Sequence, residues 1–464
     1  MGFQQGLSGL DAASQLLSNI GNNLSNANTV GFKSSETQFS DLYASSLSGA
    51  NSAQNGIGTQ VSAVVQQFSQ GNIVSTSNPL DMAINGLGFF RMQDKTGNIS
   101  YTRNGQFQVN NNGVVVNAAS QQLTGYPIDS SGVVSGAKPV PLTIPTTSLA
   151  PKASTTVTAG LNLPSSDTPL AATPAFSPTN LATYNESTSV NFYDSLGNNH
   201  VMTLYFVNNA NTTSGSTTTP STQLAAAQAA VTAYNGTTPA PSTPLGNPTQ
   251  DWSVYATVDS NPISPATTTG GITTPASYTV GDLAFDGIGN LVYPVPTTSA
   301  SVGAMTSPTL TFPNGANTQT LKFDFSNSAQ FGTAFTVNNL AADGYTSGEL
   351  TGFNTSAKGI LQGQYSNGQT KDLGQLVLAN FSDPQGLQVA SGGSWIQTTA
   401  SGSPLLGTPG TGNLGTVQSS ATESSNVDMT TELVNMLTAQ RYYQANAQAI
   451  QTQNQAEQTI INLR

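Results

Sequence analysis

The sequence predicts a mainly β protein with helical termini, on three observations. Near the N-terminus, Phe3, Gly6, Leu10, Ala13, Leu17, Ile20, Leu24 and Ala27 alternate by three and four residues, the spacing of a coiled-coil seam. Near the C-terminus, Met429, Leu433, Met436, Tyr443, Ala447 and Ile450 fall on the same alternation. Between these ends, short runs rich in aromatic and β-branched residues are separated by Asn-Gly and Pro-containing turns.

The N-terminal helix is well patterned but intrinsically poor. Gly6, Gly9 and Gly21 each weaken it by about 1 kcal/mol relative to Ala, and Gly31 offers a stop. The stretch "NIGNNLSNANTVGFKSS" (19–35) then crowds asparagines at the helix end, where their side chains bond nearby backbone and favour turns. The β runs follow: "GFFRMQD", "ISYTRNGQFQV", "GVVVN", "SVNFYD", "HVMTLYFV", "DWSVYATVD" and "TLKFDF", with turn formers at Asn104-Gly105, Asn112-Gly113, Asn314-Gly315 and Asn367-Gly368. From Asn208 to Gln250 the composition collapses into Asn, Thr, Ser, Pro and Ala. This reads as an exposed insertion into the hairpin between "HVMTLYFV" and "DWSVYATVD", with one short helix at 224–234. A second biased loop runs from Pro262 to Ala276.

At the C-terminal end, Ser425 and Asp428 make a capping-box-like start, while the seam slots at Gln440, Asn454 and Glu457 are polar. One such helix could lie on its own domain. Two seams at opposite ends point instead to helices that pair with each other or with neighbouring subunits. Burial by so few large seam residues, even with the helix hydrogen bonds added, only about balances the backbone entropy of ordering both ends, so we expect them to be disordered or marginal in the isolated chain and helical once copies pack together.

Composition narrows the function. A chain of 464 residues suggests roughly two to four domains. Charged residues are 7% of it, against about a quarter in a typical soluble domain, so uncharged polar groups must provide solubility. Asp plus Glu (22) exceeds Lys plus Arg (11), for a net charge of −11. With no basic cluster, nucleic acid is a poor partner. There is no cysteine, which excludes disulfides, thiolate nucleophiles and Cys-ligated metals. The opening "MGFQQGLSGLDAASQLL" lacks the features of a Sec signal, and no stretch approaches a membrane span. We expect neither a Sec precursor nor membrane insertion.

Catalytic constellations are sparse. The one histidine, His200, follows the turn "DSLGNN" at the start of a strand-like run, with no nucleophile elbow nearby. One His without Cys cannot build the usual zinc or copper sites. Gly86 and Gly88 in "INGLGFF" lead into a strand, with Arg91 where a dinucleotide fingerprint needs its third glycine. Asp94, Asp129, Asp194, Asp251, Asp259, Asp282, Asp286 and Asp324 are dispersed, and any two of them could meet in space as a glycosidase pair. The expectation is no catalytic residue, no cofactor and no metal: an architectural subunit.

Three blocks carry a family resemblance. "GLSGLDAASQLLSNIGNNLSNANTVGFKSSETQFSDLY" (6–43) resembles the N-terminal signature of bacterial flagellar rod and hook proteins, with Asn22, Asn23, Asn26, Thr29, Gly31, Phe32 and Lys33 in the signature positions. "GLGFFRMQDKTGNISYTRNGQFQVNNNGVVVNAASQQLTGYPI" (86–128) resembles the central block these axial proteins share, and "SSNVDMTTELVNMLTAQRYYQANAQAIQTQNQ" (424–455) their C-terminal segment. "VNFYDSLGNNHVMTLYFV" and "LGQLVLANFSDPQGLQ" look specifically like hook proteins, which are longer than distal-rod proteins and carry an extra outer β-domain. The low-complexity insertions depart from compact hook proteins.

The resemblance implies an inner tube domain of terminal helices (1–32 and 422–464) and connecting segments (33–74 and 406–421). It also implies a discontinuous middle β-domain (75–158 and 340–405) and an inserted outer β-domain (159–339) with insertions at about 208–250 and 262–276. The two seams become subunit interfaces, and the asparagine-rich signature becomes the junction between helix and body. Further implications are a homopolymer of many copies and partners in the distal rod protein, the hook cap scaffold, the hook-filament junction protein and the flagellar type III export apparatus. "FSDLY", with Phe39 and Tyr43, is similar to an export motif, although both residues could simply pack a loop. The nearest alternative is a straight, rigid distal-rod protein. An extracellular adhesin or polysaccharide-acting β-protein shares the Ser/Thr-rich middle but needs no matched helical seams.

Overall fold

The computed structural model describes every residue except 1, 44–55, 129–133, 135–137, 146, 171–174, 210–211, 215–216, 220–221, 237–244, 265–266, 270–271, 275, 296–301 and 463–464. Parts of both low-complexity insertions, Asp129 and the side chain of Tyr43 therefore lie outside the described residues. Three helices are described, α1 (Gly2–Ser25), α2 (Thr222–Asn235) and α3 (Met429–Asn462), and the rest is dominated by strands. The chain forms two compact units, one of 1–147 with 350–464 and one of 148–349.

In the first unit, the two ends of the chain build one sheet. Its main path runs through 350–355, 360–365, 370–376, 122–127, 89–93, 99–102, 394–396 and 388–390. The N-terminal strand Gln122–Pro127 pairs antiparallel with Thr370–Leu376, Gly125 opposite Leu376. Strand side chains alternate between faces, so adjacent phenylalanines serve different cores. Phe90 joins Met92, Leu123, Leu376 and Leu378, whereas Phe89 joins Tyr101, Phe381 and Trp395. Gly86 and Gly88, at φ +112° and +123°, make the turn that starts this strand. A separate antiparallel hairpin, β1 (Ser35–Tyr43) and β2 (Gly56–Gln66), precedes the body.

The second unit holds two sheets around one core. Glu186–Tyr193, Asn199–Asn208, Pro248–Val258 and Thr279–Asp286 lie in sequence order in the first. Thr156–Pro164 is central to the second, and Leu161, Phe192, Phe206, Trp252, Phe285 and Phe323 share the core. Thr156–Pro164 pairs antiparallel with Thr336–Ala342. That ladder, continued by the bridges Lys152–Tyr345 and Leu149–Gly348, lies within this unit of 148–349. The 208–250 stretch does interrupt a hairpin, since 202–208 pair with 252–258. It is not simply exposed, however. In α2, Leu224, Ala227 and Val231 are buried, and Gln228 Nε2 donates to the Pro248 carbonyl at 2.9 Å.

The dispersed carboxylates mostly hold turns. Asp94, Asp194 and Asp286 each head an Asp-x-x-Gly-Asn turn, Oδ1 accepting from the backbone N–H of Asn98, Asn198 or Asn290 at 2.9 Å. His200, in the hairpin of Glu186–Tyr193 and Asn199–Asn208, is 8% exposed. Its ring sits between Asp259 (2.7 Å) and Asp194 (3.3 Å) and stacks on Phe192. Among the described residues, no group of three His, Asp or Glu side chains could hold a metal ion. No described helix is long and apolar enough to cross a membrane.

Candidate functional site

The helices α1 and α3 run antiparallel against each other. A Cβ placed on Gly6 would lie 2.7 Å from Ile450 Cγ1, and one on Gly9 would lie 2.8 Å from Asn446 Nδ2. Gly6 and Gly9, which lower helix propensity, are thus places where the partner helix approaches closely, whereas a Cβ on Gly21 would meet nothing within 4 Å. Ala12, Ala13 and Ile20 of α1 are buried, while Leu10, Leu17 and Leu24 are half-buried. Ala27 lies beyond the helix end at Ser25, in the following turn.

The C-terminal helix starts where the capping chemistry dictates. Asp428 Oδ1 accepts the N–H groups of Thr430 (2.8 Å) and Thr431 (3.1 Å), and Glu432 in the first turn suits the helix dipole. Ser425 Oγ instead accepts from Val427 N one turn earlier, at 3.2 Å.

The face of α3 that meets α1 includes only part of the apolar seam. Ala439 is fully buried, and Glu432, Met436, Asn446 and Ile450 are half-buried. Of the expected seam, Met436, Ala447 and Ile450 are half-buried, whereas Met429, Leu433 and Tyr443 are exposed together with Val434, Leu437 and Tyr442. Ile450 and Asn446 fit the contact because Gly6 and Gly9 of α1 have no side chain there. Leu433, Val434 and Leu437 stay exposed.

The asparagine-rich signature divides into two kinds of residue. Asn22 is exposed, and Asn26 Nδ2 donates to the Asn22 carbonyl at 3.0 Å while its Oδ1 accepts from Thr29 Oγ1, a local helix-end turn. Asn23 is 2% exposed and reaches across segments. Its Nδ2 donates to the Ser35 carbonyl and to Glu432 Oε1, both at 2.8 Å, and its Oδ1 accepts from Ser35 N at 2.9 Å. Asn19 Nδ2 adds bonds to Ser35 O and Thr37 Oγ1. These amides rim a cleft of about 390 Å³ between α1, β1 and α3, lined also by Ile20 and Tyr442.

Gly31 takes φ +72° and donates to the Glu423 carbonyl at 2.8 Å. Phe32 is half-buried, and Lys33 is 1% exposed. Lys33 Nζ donates to Glu423 Oε1 at 2.6 Å and to the Ser69 carbonyl at 2.7 Å. Arg103 Nη1 donates to the other oxygen of Glu423 at 3.1 Å. Burial pushes the Lys33 ammonium below its usual range, against the pull of Glu423, and it does the same to Arg103. The sequence reading named Lys33 but missed Arg103 and Glu423. The signal it passed over was charge in a chain with so little of it. Phe39 is 43% exposed on β1, opposite Val61, so it lies on a strand and not in a packed loop.

Comparison with known proteins gives a consistent likeness along the chain. Residues 3–33 match the model described as Flagella basal body rod protein, and 83–159 the Flagellar hook protein FlgE/F/G D1 domain. Residues 162–345 match the Flagellar basal body protein FlaE D2 domain, and 418–463 the Flagellar basal body rod FlgEFG protein C-terminal model. The chain is 38% identical over 469 residues to the flagellar hook protein FlgE of Escherichia coli K12, covering 100% of both. It is 29% identical to that of Rhizobium meliloti, covering 100% of this chain and 98% of the relative. A crystal structure of the Helicobacter pylori flagellar hook protein FlgE2 aligns at a TM-score of 0.48 and 13% identity, over 74% of this chain and 99% of that one.

Proposed function

The chain belongs to the flagellar hook protein family and is a structural subunit of the bacterial flagellar hook, and from that premise we propose how it works. Many copies polymerise through the terminal helices into a curved tube outside the cell that bends while passing motor torque from rod to filament. The observation that carries this is the outward face of α3. Leu433, Val434 and Leu437 stay exposed on a helix already paired with α1. Exposed apolar side chains grouped on one helix are surface waiting for a partner, and the partner is the helix pair of the next copy. Met429 extends that face, and Tyr443 is exposed one turn beyond Ala439. Ala13 and Ile20 serve the pairing within one chain, and Leu10, Leu17, Leu24 and Ala447 lie at its margins.

The β units supply the outer surface of the tube. With so few charges, their contacts are neutral polar ones that re-form directly or through water at several offsets, which lets copies slide as the tube bends. The distal rod protein and the hook-filament junction protein meet its two ends, and the cap scaffold guides growth. The chain leaves the cell through the flagellar type III apparatus, with Phe39 and Tyr43 in the export signal. Its work is mechanical, without catalysis. A distal-rod role is disfavoured by the full-length match to hook proteins.

Removing both terminal helices tests the reading. The intact protein, concentrated in vitro or expressed in cells, gives tubes by electron microscopy, and the trimmed protein gives folded β units without tubes. An intact protein that never forms tubes, or a trimmed one that still does, overturns it.

A further inference from the structure

Three stretches of chain connect α1, the β1–β2 hairpin, the sheet body and α3: 26–34 from α1 to the hairpin, 67–72 from the hairpin to the body, and 424–428 from the body to α3. All three meet at one buried carboxylate. Glu423 is 0% exposed and ends the strand Ala421–Glu423, which pairs with Ile73–Ser75. Its Oε1 accepts from Lys33 Nζ at 2.6 Å on the first stretch and from Gly71 N at 2.9 Å on the second. Its Oε2 accepts from Arg103 Nη1 in the body, and Arg103 Nη2 donates to the Gly86 carbonyl at 2.8 Å. Its backbone carbonyl accepts from Gly31 N.

Close backbone approach seals the same point. A Cβ on Gly71 would lie 2.0 Å from the Ser424 oxygen, and one on Gly31 would lie 2.5 Å from Asn104 N. Asn426, three residues on, repeats the tie, its Oδ1 accepting from Ser34 N and its Nδ2 donating to Gln67 O, both at 2.7 Å.

We propose that Glu423 is the pin that couples the helix pair and hairpin to the sheet body, so that load on the helices reaches the body through Lys33, Gly71 and Arg103. The load-transfer part of this rests on the hook reading above. One carboxylate faces two cations in a dry site, and such an arrangement is unforgiving: removing the anion alone strands buried positive charge, whereas removing anion and cation together is far better tolerated.

The test is hydrogen exchange on the full-length chain in its monomeric form, comparing Glu423→Gln with the parent. Gln keeps the shape and drops the charge. Exchange at Gly31 and Gly71 and in the first turn of α3 is expected to speed up about tenfold or more, while the 122–127 and 370–376 strands stay as protected as in the parent. Unchanged exchange at Gly31 and Gly71 overturns the proposal. So does an equal rise in the strands, which would make Glu423 part of the body's own core. If Glu423→Gln does not fold, the triple variant Lys33→Met, Arg103→Met and Glu423→Met, which leaves no charge of the cluster buried alone, is read by the same two criteria. No polymer is needed for this measurement. A parent chain that fails to form tubes therefore removes the hook reading alone, and a failed exchange result removes the pin alone.

Discussion

Asn23 and Glu432 meet across 409 residues of sequence, the Asn23 amide donating to Glu432 Oε1 at 2.8 Å while its other bonds hold Ser35. One side chain thus ties the end of α1, the start of β1 and the first turn of α3 together.

Replacing it should have effects its neighbours lack. Asn23→Ala takes the side-chain partner from Ser35 N and from Glu432 Oε1 in a largely buried place, while the Ser35 carbonyl keeps its bond from Asn19 Nδ2. That costs about 1–3 kcal/mol and shows as faster amide exchange in both helices. Asn22→Ala and Asn26→Ala, whose contacts are local or solvent-facing, should change it by less than about 0.5 kcal/mol. The triple variant should impair tube formation more than the denaturant midpoint of the β units.

Gly31 should resist substitution. At φ +72°, with a Cβ directed at the Asn104 N–H, Gly31→Ala carries backbone strain of about 1–3 kcal/mol before any clash is relieved. A lowered urea midpoint for the first unit, with the second unchanged, is the expected reading.

The two faces of α3 should separate folding from assembly. Leu433→Asp with Leu437→Asp alters exposed positions, so monomer stability by urea titration should hold while tube formation is lost. Ala439→Leu overfills a position with no exposure. That costs about 1–3 kcal/mol and loosens the α1–α3 contact as read by amide exchange.

Acid should weaken the second unit through Asp343. Burial pushes its carboxyl up, but the N–H groups of Thr156 and Thr155, the Thr155 hydroxyl and Lys152 together bring it down from 3.8 to about 2. A value depressed in the folded state means its stabilisation is complete above pH 3.8 and is lost as the pH falls through about 2. Urea titrations followed by Trp252 fluorescence, in a Trp395→Phe background, should show that loss in the parent. Asp343→Asn should be less stable at neutral pH, with a flatter acid limb.

The legible parts of this fold are those written in local pattern. Alternating apolar residues gave away both terminal helices, and the phenylalanine, valine and tyrosine runs marked strands whose partners the turns between them suggested. The capping role of Asp428 was readable from its place before an apolar-periodic run. Less legible was the value of residues that look unfavourable locally. Gly6 and Gly9 count against a helix until a second helix is placed beside them, and the short helix legible at 224–234 reads as exposed until Leu224, Ala227 and Val231 are buried.

By itself, the sequence determined the class: helical ends, a β middle, no thiol chemistry, and an N-terminal signature shared with flagellar axial proteins. Those follow from periodicity and composition, which act over a few residues. Only the tertiary structure decided which face of α3 meets α1 and which stays exposed, because that depends on the room left by glycines more than four hundred residues away. It alone brought Lys33, Arg103 and Glu423 into one dry site. A buried charge needs a partner, but nothing local in a sequence says which of its few charges will be buried together.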